Sequence, residues 1–257
     1  MAATVFRFST RSMIRFLRGL ASLALFAVFG VGAVFIAPLM LVLRRPERCQ
    51  PVVRALWRPL VWLFIHTGLL SVEAKGLEGI RSSVIVANHP SLIDVVLVTV
   101  LVPRTLYVAK SALRASPVLA AIVRATSLPD DARLPESAAT YLARGWNLLV
   151  FPEGTRSPST GGLHPFRRGA AQVALRTGSP IVCVEIRPSE RILAKRQPVT
   201  AMGAKRVVFA LRRLATLPPV NPPPARPHAA AVRLVATMEK LYRSSAVGFQ
   251  ASSTRFR

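Results

Sequence analysis

A histidine and an aspartate stand five residues apart in the segment NHPSLID at 88–94, and together they can move a proton. An imidazole acts as a general base when a hydroxyl is in reach and an acceptor on its other ring nitrogen fixes its tautomer. Asp94 can supply that acceptor if a helix begins near Ser91 and brings its first turn back toward His89. This spacing indicates the His-Asp half of a catalytic triad whose nucleophile is a substrate hydroxyl. The spacing alone also fits a loop histidine beside an aspartate that caps a helix.

A second segment, FPEGTRS at 151–157, contains residue types that bind anions. Gly154 permits a tight backbone turn, and the guanidinium of Arg156 matches phosphate oxygens in a bidentate way. Glu153 can hold Arg156 or another base in position. The segment therefore predicts an anion-binding loop, and a charged surface turn is the alternative.

Further cations follow other predicted elements. Lys110 ends a predicted strand, and the segment FRRG at 166–169 precedes a predicted helix whose N-terminus favours anions. Because the carboxyl ends of parallel strands meet at one edge of a sheet, we expect one base and several cations to meet there.

The elements that must position these residues begin near residue 72, where short β-rich runs start to alternate with helical segments. This alternation predicts an α/β fold with a mostly parallel central sheet flanked by helices. The strands are nearly continuous apolar runs, which indicates burial on both faces of the sheet. Strands are predicted at 83–87, 106–109, 147–151, 181–186 and 206–211, and helices at 91–101, 116–124, 135–144 and 169–176.

An uncharged apolar run at 19–43 precedes this unit. As a helix it would be about 37 Å long, against a hydrocarbon core of about 30 Å. It is therefore long enough to span a bilayer, although two glycines and a proline also allow a kinked interfacial element. Basic residues on both sides leave its orientation open, and the run is too long for the apolar part of a signal peptide. The apolar stretch at 59–70 is too short to span and fits a membrane interface or a buried helix.

The composition combines strong positive charge with high hydropathy. The 257 residues include 35 Lys+Arg and 11 Asp+Glu, for a net charge of +24, and 51% are hydrophobic. A disordered basic chain is excluded, because such chains contain too little apolar surface to fold. A membrane offers anionic headgroups and hydrocarbon together, whereas nucleic acid accounts only for the charge. The alternative from another class is a non-catalytic basic protein that binds membranes or nucleic acid.

The chain divides into five regions. These are a basic N-terminal segment (1–18), a membrane-associating helical region (19–70), a catalytic domain (71–216), a Pro-rich linker (217–228), and a C-terminal helix with a disordered tail from 244 (229–257). The two cysteines lack metal-ligand spacing, which favours a reducing compartment and no metal site.

NHPSLID and FPEGTRS resemble the NHxxxxD and FPEGTR motifs of the lysophospholipid acyltransferase family, which includes the bacterial 1-acyl-glycerol-3-phosphate acyltransferases. The resemblance covers roughly residues 72–188 and keeps the family's order of motifs, ending in Phe-x-x-Gly and a Pro-Ile-Val strand.

The resemblance implies that His89 deprotonates an acceptor hydroxyl, which then attacks the thioester of acyl-CoA or acyl carrier protein, and that Asp94 orients His89. It implies no cofactor and no metal, and it leaves the donors to the oxyanion open between Asn88 and backbone N–H groups. The location that it implies is a membrane, the bacterial inner membrane with the catalytic domain in the cytoplasm. The acceptor-binding residues that it implies are Glu153, Gly154, Thr155, Arg156, with Arg156 on the phosphate, and Lys110 and Arg168 as secondary phosphate contacts.

Three departures from the family pattern concern the acceptor. The region after Lys110 lacks the usual glycines, its Asp and Arg are separated, and Cys183 replaces a proline in the late strand. The expected acceptor is 1-acyl-glycerol-3-phosphate, which would give phosphatidic acid. A lyso-aminolipid or a specialised hydroxylated lipid stays open as the alternative.

Overall fold

Two long helices precede an α/β unit in the computed structural model, which describes residues 9–115, 120–158, 160–220 and 225–253. The helices are α1 (Thr10–Leu43), α2 (Pro46–His66), α3 (Asp94–Leu101), α4 (Ser111–Arg114), α5 (Ala120–Thr126), α6 (Leu134–Leu142), α7 (Gly169–Thr177) and α8 (Pro227–Ser253). The strands are β1 (Leu70–Lys75), β2 (Val84–Ala87), β3 (Thr105–Ala109), β4 (Ser127–Pro129), β5 (Asn147–Val150), β6 (Ile181–Pro188) and β7 (Val207–Leu217).

The strands form one sheet in the order β1-β7-β6-β2-β5-β3-β4. The five strands from β6 to β4 in this order are parallel to one another. Strand β7 runs antiparallel to β6, and β1 runs parallel to β7. The predicted α/β fold with a mostly parallel sheet is confirmed. Strands β2 and β5 are neighbours, and Val86 pairs with Val150, so the segments at 88–94 and 151–157 leave the sheet side by side at the same edge.

Helices cover both faces of the sheet. Ile85 and Ala87 of β2 belong to the core that includes residues of α1, α2, α3 and α5. Val84 and Val86 point the other way, into the core with α6, α7 and α8, as alternation along a strand requires. Burial on both faces is the reason for the apolar runs in the sequence.

Hydrogen bonds from side chains of α1 fix the position of this helix on the α/β unit. The guanidinium of Arg18 donates hydrogen bonds of 2.8–3.1 Å to the carbonyls of Gly68, Leu69, Gly203 and Lys205. Gly19 is needed at this contact, because an added Cβ would lie 2.5 Å from the carbonyl oxygen of Thr200. Ser22 donates a further bond to the Val199 carbonyl.

The opposite face of α1 exposes apolar side chains along its length, and α1 is long and apolar enough to cross a membrane. Helix α2 runs antiparallel to α1 and includes most of the stretch at 59–70. In this stretch Leu60 and Phe64 are buried, and Trp62 is exposed. The exposed apolar residues of α1 include Phe16, Leu20, Val28, Val31, Phe35 and Val42.

Several element boundaries differ from those that the sequence indicates. β1 and β4 were not predicted, α3 begins at Asp94 rather than at 91, and β7 continues to Leu217. The predicted helix at 116–124 begins at Ala120 within the described residues, and 116–119 and 221–224 lie outside them.

Helix α8 continues to Ser253, past residue 244, where the sequence indicates the start of a disordered tail. A tertiary contact accounts for part of the difference. The hydroxyl of Ser245 donates to the Glu185 carboxylate at 2.6 Å and accepts a bond from Arg212 at 2.7 Å. The local sequence is polar and contains no sign of these distant partners.

Candidate active site

The structure brings His89 and Asp94 into direct contact. His89 Nδ1 lies 2.8 Å from Asp94 Oδ2, and the backbone N–H of Ser91 donates to the same oxygen at 2.7 Å. The turn between β2 and α3 folds back in the way that the spacing requires. With Nδ1 engaged, Nε2 is the nitrogen left for a substrate. The imidazole ring stacks on Phe151 with its centroid 4.1 Å away, which fixes its plane.

Asp94 is completely buried. Burial raises its pKa, and the hydrogen bond from His89 offsets this only in part. Its second oxygen, Oδ1, has no hydrogen-bond partner in the described part of the chain. An ionised carboxylate in this position costs folding free energy, which is typical of a group that is kept for chemistry rather than for stability.

Glu153 links the loop at 88–94 to the loop at 151–157. It does not line the cavity beside His89. Its carboxylate is buried and accepts hydrogen bonds from the backbone N–H of His89 at 3.2 Å, the hydroxyl of Ser157 at 2.5 Å and the N–H of His164 at 2.9 Å. The N–H of Ser157 in turn donates to the His89 carbonyl at 2.7 Å. Glu153 therefore positions the loops rather than contacting an acceptor.

Replacing Glu153 with glutamine is expected to destabilise the fold by about 1–3 kcal/mol, because its amide would face the partly buried N–H of His164 with a second donor. The measurement is the free energy of unfolding in denaturant. The matched control is Glu136→Gln, which alters an exposed carboxylate 3.7 Å from Arg176 and should change stability by less than about 0.5 kcal/mol. Equal effects of the two changes would contradict the structural role of Glu153.

A cavity of about 390 Å³ opens beside His89 and contains three cationic side chains in its lining. They are Lys110 after β3, Arg156 after β5 and Arg167 before α7. Gly154 and Thr155 line the same cavity, as does one acid, Asp130. The arrangement can hold an anionic group close to a base.

Arg156 is partly committed to the protein itself. Its Nη1 donates to the carbonyls of Leu193 and Ala194 at 2.9 and 3.0 Å. Both bonds use one nitrogen, so the planar group is held in place at the wall of the cavity.

Sequence reasoning chose Arg168 from the FRRG segment, but the structure places Arg167 in the cavity. The guanidinium of Arg168 lies 2.8 Å from Nε2 of His228 on α8, outside the cavity lining. The N–H of Arg167 donates to the Pro152 carbonyl at 2.8 Å, which joins the two loops. The side chain of Arg167 lies over Gly154, where an added Cβ would be 2.7 Å from Nε.

The glycine at 154 indicates a tight turn in the sequence but does not indicate which of the two arginines crosses it. Gly154 has φ +62°, and a neighbouring side chain crosses its backbone where any Cβ would collide. The two adjacent arginines look alike in the sequence, and only the course of the loop distinguishes them.

Asn88 is occupied elsewhere. Its side-chain amide donates to the Ile186 carbonyl at 2.8 Å and accepts from the Ile186 N–H at 2.7 Å. It therefore ties the site to β6, which leaves backbone N–H groups as candidates for stabilising an oxyanion.

Within the described ranges, no group of three or more His, Cys, Asp or Glu residues could hold a metal ion. Both cysteines are free and buried, and burial raises the pKa of Cys183 to about 12.

Comparisons with known proteins identify similar acyltransferases. A family model described as "Acyltransferase" matches residues 71–187. The 1-acyl-sn-glycerol-3-phosphate acyltransferase of Cocos nucifera is 32% identical over 49% of this chain and 42% of that protein. A chloroplastic 1-acyl-sn-glycerol-3-phosphate acyltransferase of Brassica napus is 30% identical over 47% of this chain and 38% of its own length. The matched segment thus spans about two fifths of these relatives.

The fold also matches a solved structure over nearly the whole chain. The crystal structure of the 1-acyl-sn-glycerophosphate acyltransferase PlsC from Thermotoga maritima superposes with a TM-score of 0.64 at 23% identity, covering 90% of this chain and 97% of that one.

Proposed function

We propose that this chain, in which residues 71–187 match the acyltransferase family model, is a membrane-associated O-acyltransferase that converts 1-acyl-glycerol-3-phosphate to phosphatidic acid. The observation that carries the proposal is the His89–Asp94 pair at the wall of a cavity that contains three cations. The relatives' names support the same acceptor class.

The proposed chemistry needs no covalent intermediate on the protein. Nε2 of His89 takes the proton of the acceptor hydroxyl. At the same time, the oxygen of this hydroxyl attacks the carbonyl carbon of an acyl thioester. The carbon–sulfur bond then breaks, and the leaving thiolate takes the proton back from the imidazolium. Asp94 stabilises the imidazolium between the two steps. The donor in this proposal is acyl-CoA or acyl carrier protein.

The cations of the cavity explain why the acceptor should bear a phosphate. Arg156 presents a fixed planar fork, and Arg167 and Lys110 add positive charge from two other loops. A phosphate monoester has three oxygens that can accept from such donors, whereas a neutral monoacylglycerol would leave these cations without a partner.

Membrane association rests on the exposed apolar face of α1, which runs the length of the helix beside the catalytic unit. Since α2 returns antiparallel and both helices pack on the same layer, an interfacial position of the hairpin fits better than a simple span. The proposed location is the bacterial inner membrane, with the catalytic domain on the cytoplasmic side.

The test is an assay of the full chain in phospholipid vesicles with acyl-CoA and acyl carrier protein as donors. The acceptors to compare are lysophosphatidate, a lyso-aminolipid and monoacylglycerol, with the products identified by mass spectrometry. Phosphatidic acid is the expected major product. Equal kcat/KM for monoacylglycerol would refute the phosphate site, and a preference for the lyso-aminolipid would name that lipid as the acceptor.

Replacing Arg167 with alanine is expected to raise the KM for lysophosphatidate by about tenfold to a hundredfold, because a charge-assisted hydrogen bond to the phosphate is worth about 1.5–3 kcal/mol. The kcat should change much less, since Arg167 contacts a part of the acceptor that does not react. Arg168→Ala is the matched control and should leave both constants nearly unchanged. The proposal fails if Arg168→Ala has the larger effect.

A further inference from the structure

Two exposed leucines, Leu92 and Leu113, lie beside the reaction cavity. In the described part of the chain, the exposed large apolar side chains outside α1 are those of Trp62, Leu92, Leu113 and Val232. Leu92 is 48% exposed and Leu113 is 42% exposed. Because single exposed leucines are common on protein surfaces, the position of these two decides whether they have a role.

Both residues, called the rim leucines below, border the cavity. Leu113 lines the cavity together with His89 and is partly exposed, so it lies where the cavity meets the surface. It belongs to α4, which buries none of its residues. The backbone N–H of Leu92 donates at 3.0 Å to the Leu193 carbonyl, which also accepts the 2.9 Å bond from Arg156. Leu92 therefore lies beside the guanidinium that binds the acceptor phosphate in the proposed function.

The rim leucines lie on the side of the sheet that α1 covers. Helix α4 packs on α5, and α5 packs on both α1 and α2. The loop at 189–206, which accepts the bond from Leu92, also accepts one from Ser22 of α1. The exposed apolar face of α1 and the rim leucines therefore belong to the same layer of the molecule. Val232 differs, because its helix, α8, belongs to the core on the other face of the sheet.

The rim combines apolar side chains with cationic ones. Lys110 precedes Leu113 by three residues and is exposed, and Arg156 is held next to Leu92. The boundary between headgroups and acyl chains of a phospholipid leaflet offers phosphates to such cations and hydrocarbon to such leucines. Contact with a leaflet would remove the apolar surface of the rim from water, which is favourable.

We propose that the rim leucines insert into the phospholipid leaflet that contains the acceptor, so that the reaction cavity opens at the boundary between headgroups and acyl chains. Lysophosphatidate would enter sideways, with its phosphate moving to Arg156 while its acyl chain stays in contact with Leu113. This inference rests on the proposed acyl-transfer function and its membrane association, and it adds a second membrane contact to that of α1.

The direct test places an NBD fluorophore on Leu92→Cys, on Leu113→Cys and, as the matched control, on Val232→Cys. The two native cysteines are buried, so the introduced thiols are the accessible ones. Each labelled chain is bound to vesicles of phosphatidylcholine and phosphatidylglycerol that contain a phospholipid with a nitroxide near the headgroup end of its acyl chain. Fluorescence at 92 and 113 should fall by about half or more, because inserted residues lie at this depth, whereas fluorescence at 232 should stay the same.

The kinetic test is Leu92→Gln, with Val232→Gln as its control. Leu92 does not line the cavity, so a change in acceptor binding has to act through the surface around it. The KM for long-chain lysophosphatidate in vesicles should rise by about threefold to tenfold, since a half-exposed leucine no longer enters the leaflet. With a short-chain acceptor dissolved as monomers the increase should be several-fold smaller, and Val232→Gln should leave both constants unchanged.

The outcomes separate this inference from the proposed function. Unquenched labels at both 92 and 113 in a vesicle-bound chain would overturn the inference and leave the acyl transfer intact. A change in NBD emission that depends on protein concentration in buffer without vesicles would show that a second copy of the chain covers the rim, and would overturn it as well. Failure of the unlabelled chain to bind vesicles at all would refute the membrane association itself.

Discussion

Replacing His89 with alanine is expected to lower kcat by a factor of about 10²–10⁴ or more, the range for loss of a general base. The reason is the geometry of the ring: Nδ1 is committed to Asp94 at 2.8 Å, so Nε2 is the nitrogen left for a substrate, and His89 lines the cavity. No other histidine lines this cavity among the described residues. The measurement is phosphatidic acid formation under saturating acceptor and donor.

Binding should survive this change, because the phosphate contacts belong to other side chains. The affinity of the His89→Ala protein for lysophosphatidate should remain within about threefold of the wild type, as measured by vesicle cosedimentation or calorimetry. His66→Ala is the control, since His66 stacks on Trp62 at the end of α2 and lies outside the cavity. Retention of full activity without His89 would rule out the mechanism.

The second large effect is expected from Asp94→Asn, which should separate activity from stability. Both hydrogen bonds of Asp94 go to the same oxygen, Oδ2, so the carbonyl of an asparagine can accept both. Activity should nevertheless fall by about 10²–10⁴, because the negative charge that stabilises the imidazolium is lost. The thermal midpoint of unfolding should stay the same or rise, since an ionised group no longer has to be buried.

The stability difference between the wild type and Asp94→Asn should change with pH in a defined direction. Because burial raises the pKa of Asp94 above its ordinary 3.8, the folded state binds the proton more tightly than the unfolded state. The wild type therefore loses stability as pH rises from about 4 through the folded-state pKa, whereas asparagine does not titrate. The stability advantage of the variant should grow with pH over this range. An advantage that shrinks as pH rises would show that the pKa of Asp94 is lowered instead.

The sequence predicts what depends on local pattern. The sheet edge at which the site lies follows from two apolar strands that each end in a polar motif, and the contact between His89 and Asp94 follows from a five-residue spacing at the start of a helix. The short strand β4 and the extension of α8 lack such a pattern. They are defined by partners far along the chain, as Ser245 is by Glu185.

The roles of individual charged residues depend on tertiary contacts and could not be assigned from the motifs. Glu153 stands beside Arg156 in the sequence, yet its carboxylate binds the backbone of His89 and His164 instead. Arg167 and Arg168 are adjacent, yet a histidine on α8 engages only the second. Which of two neighbouring arginines faces a cavity is decided by the path of a loop, and the sequence of that loop does not encode it visibly.

The loop at 189–206 contacts both α1 and Arg156. The carbonyl of Val199 in this loop accepts a hydrogen bond from Ser22 of α1. Other carbonyls of the loop accept the hydrogen bonds that hold Arg156. Leu193 in this loop has φ +55°, a conformation that a bulky residue keeps only while its surroundings enforce it. Detergents that loosen α1 should therefore weaken acceptor affinity more than turnover. The KM for the acceptor would then differ between micelles and bilayers, because the loop would hold Arg156 in a different position in each.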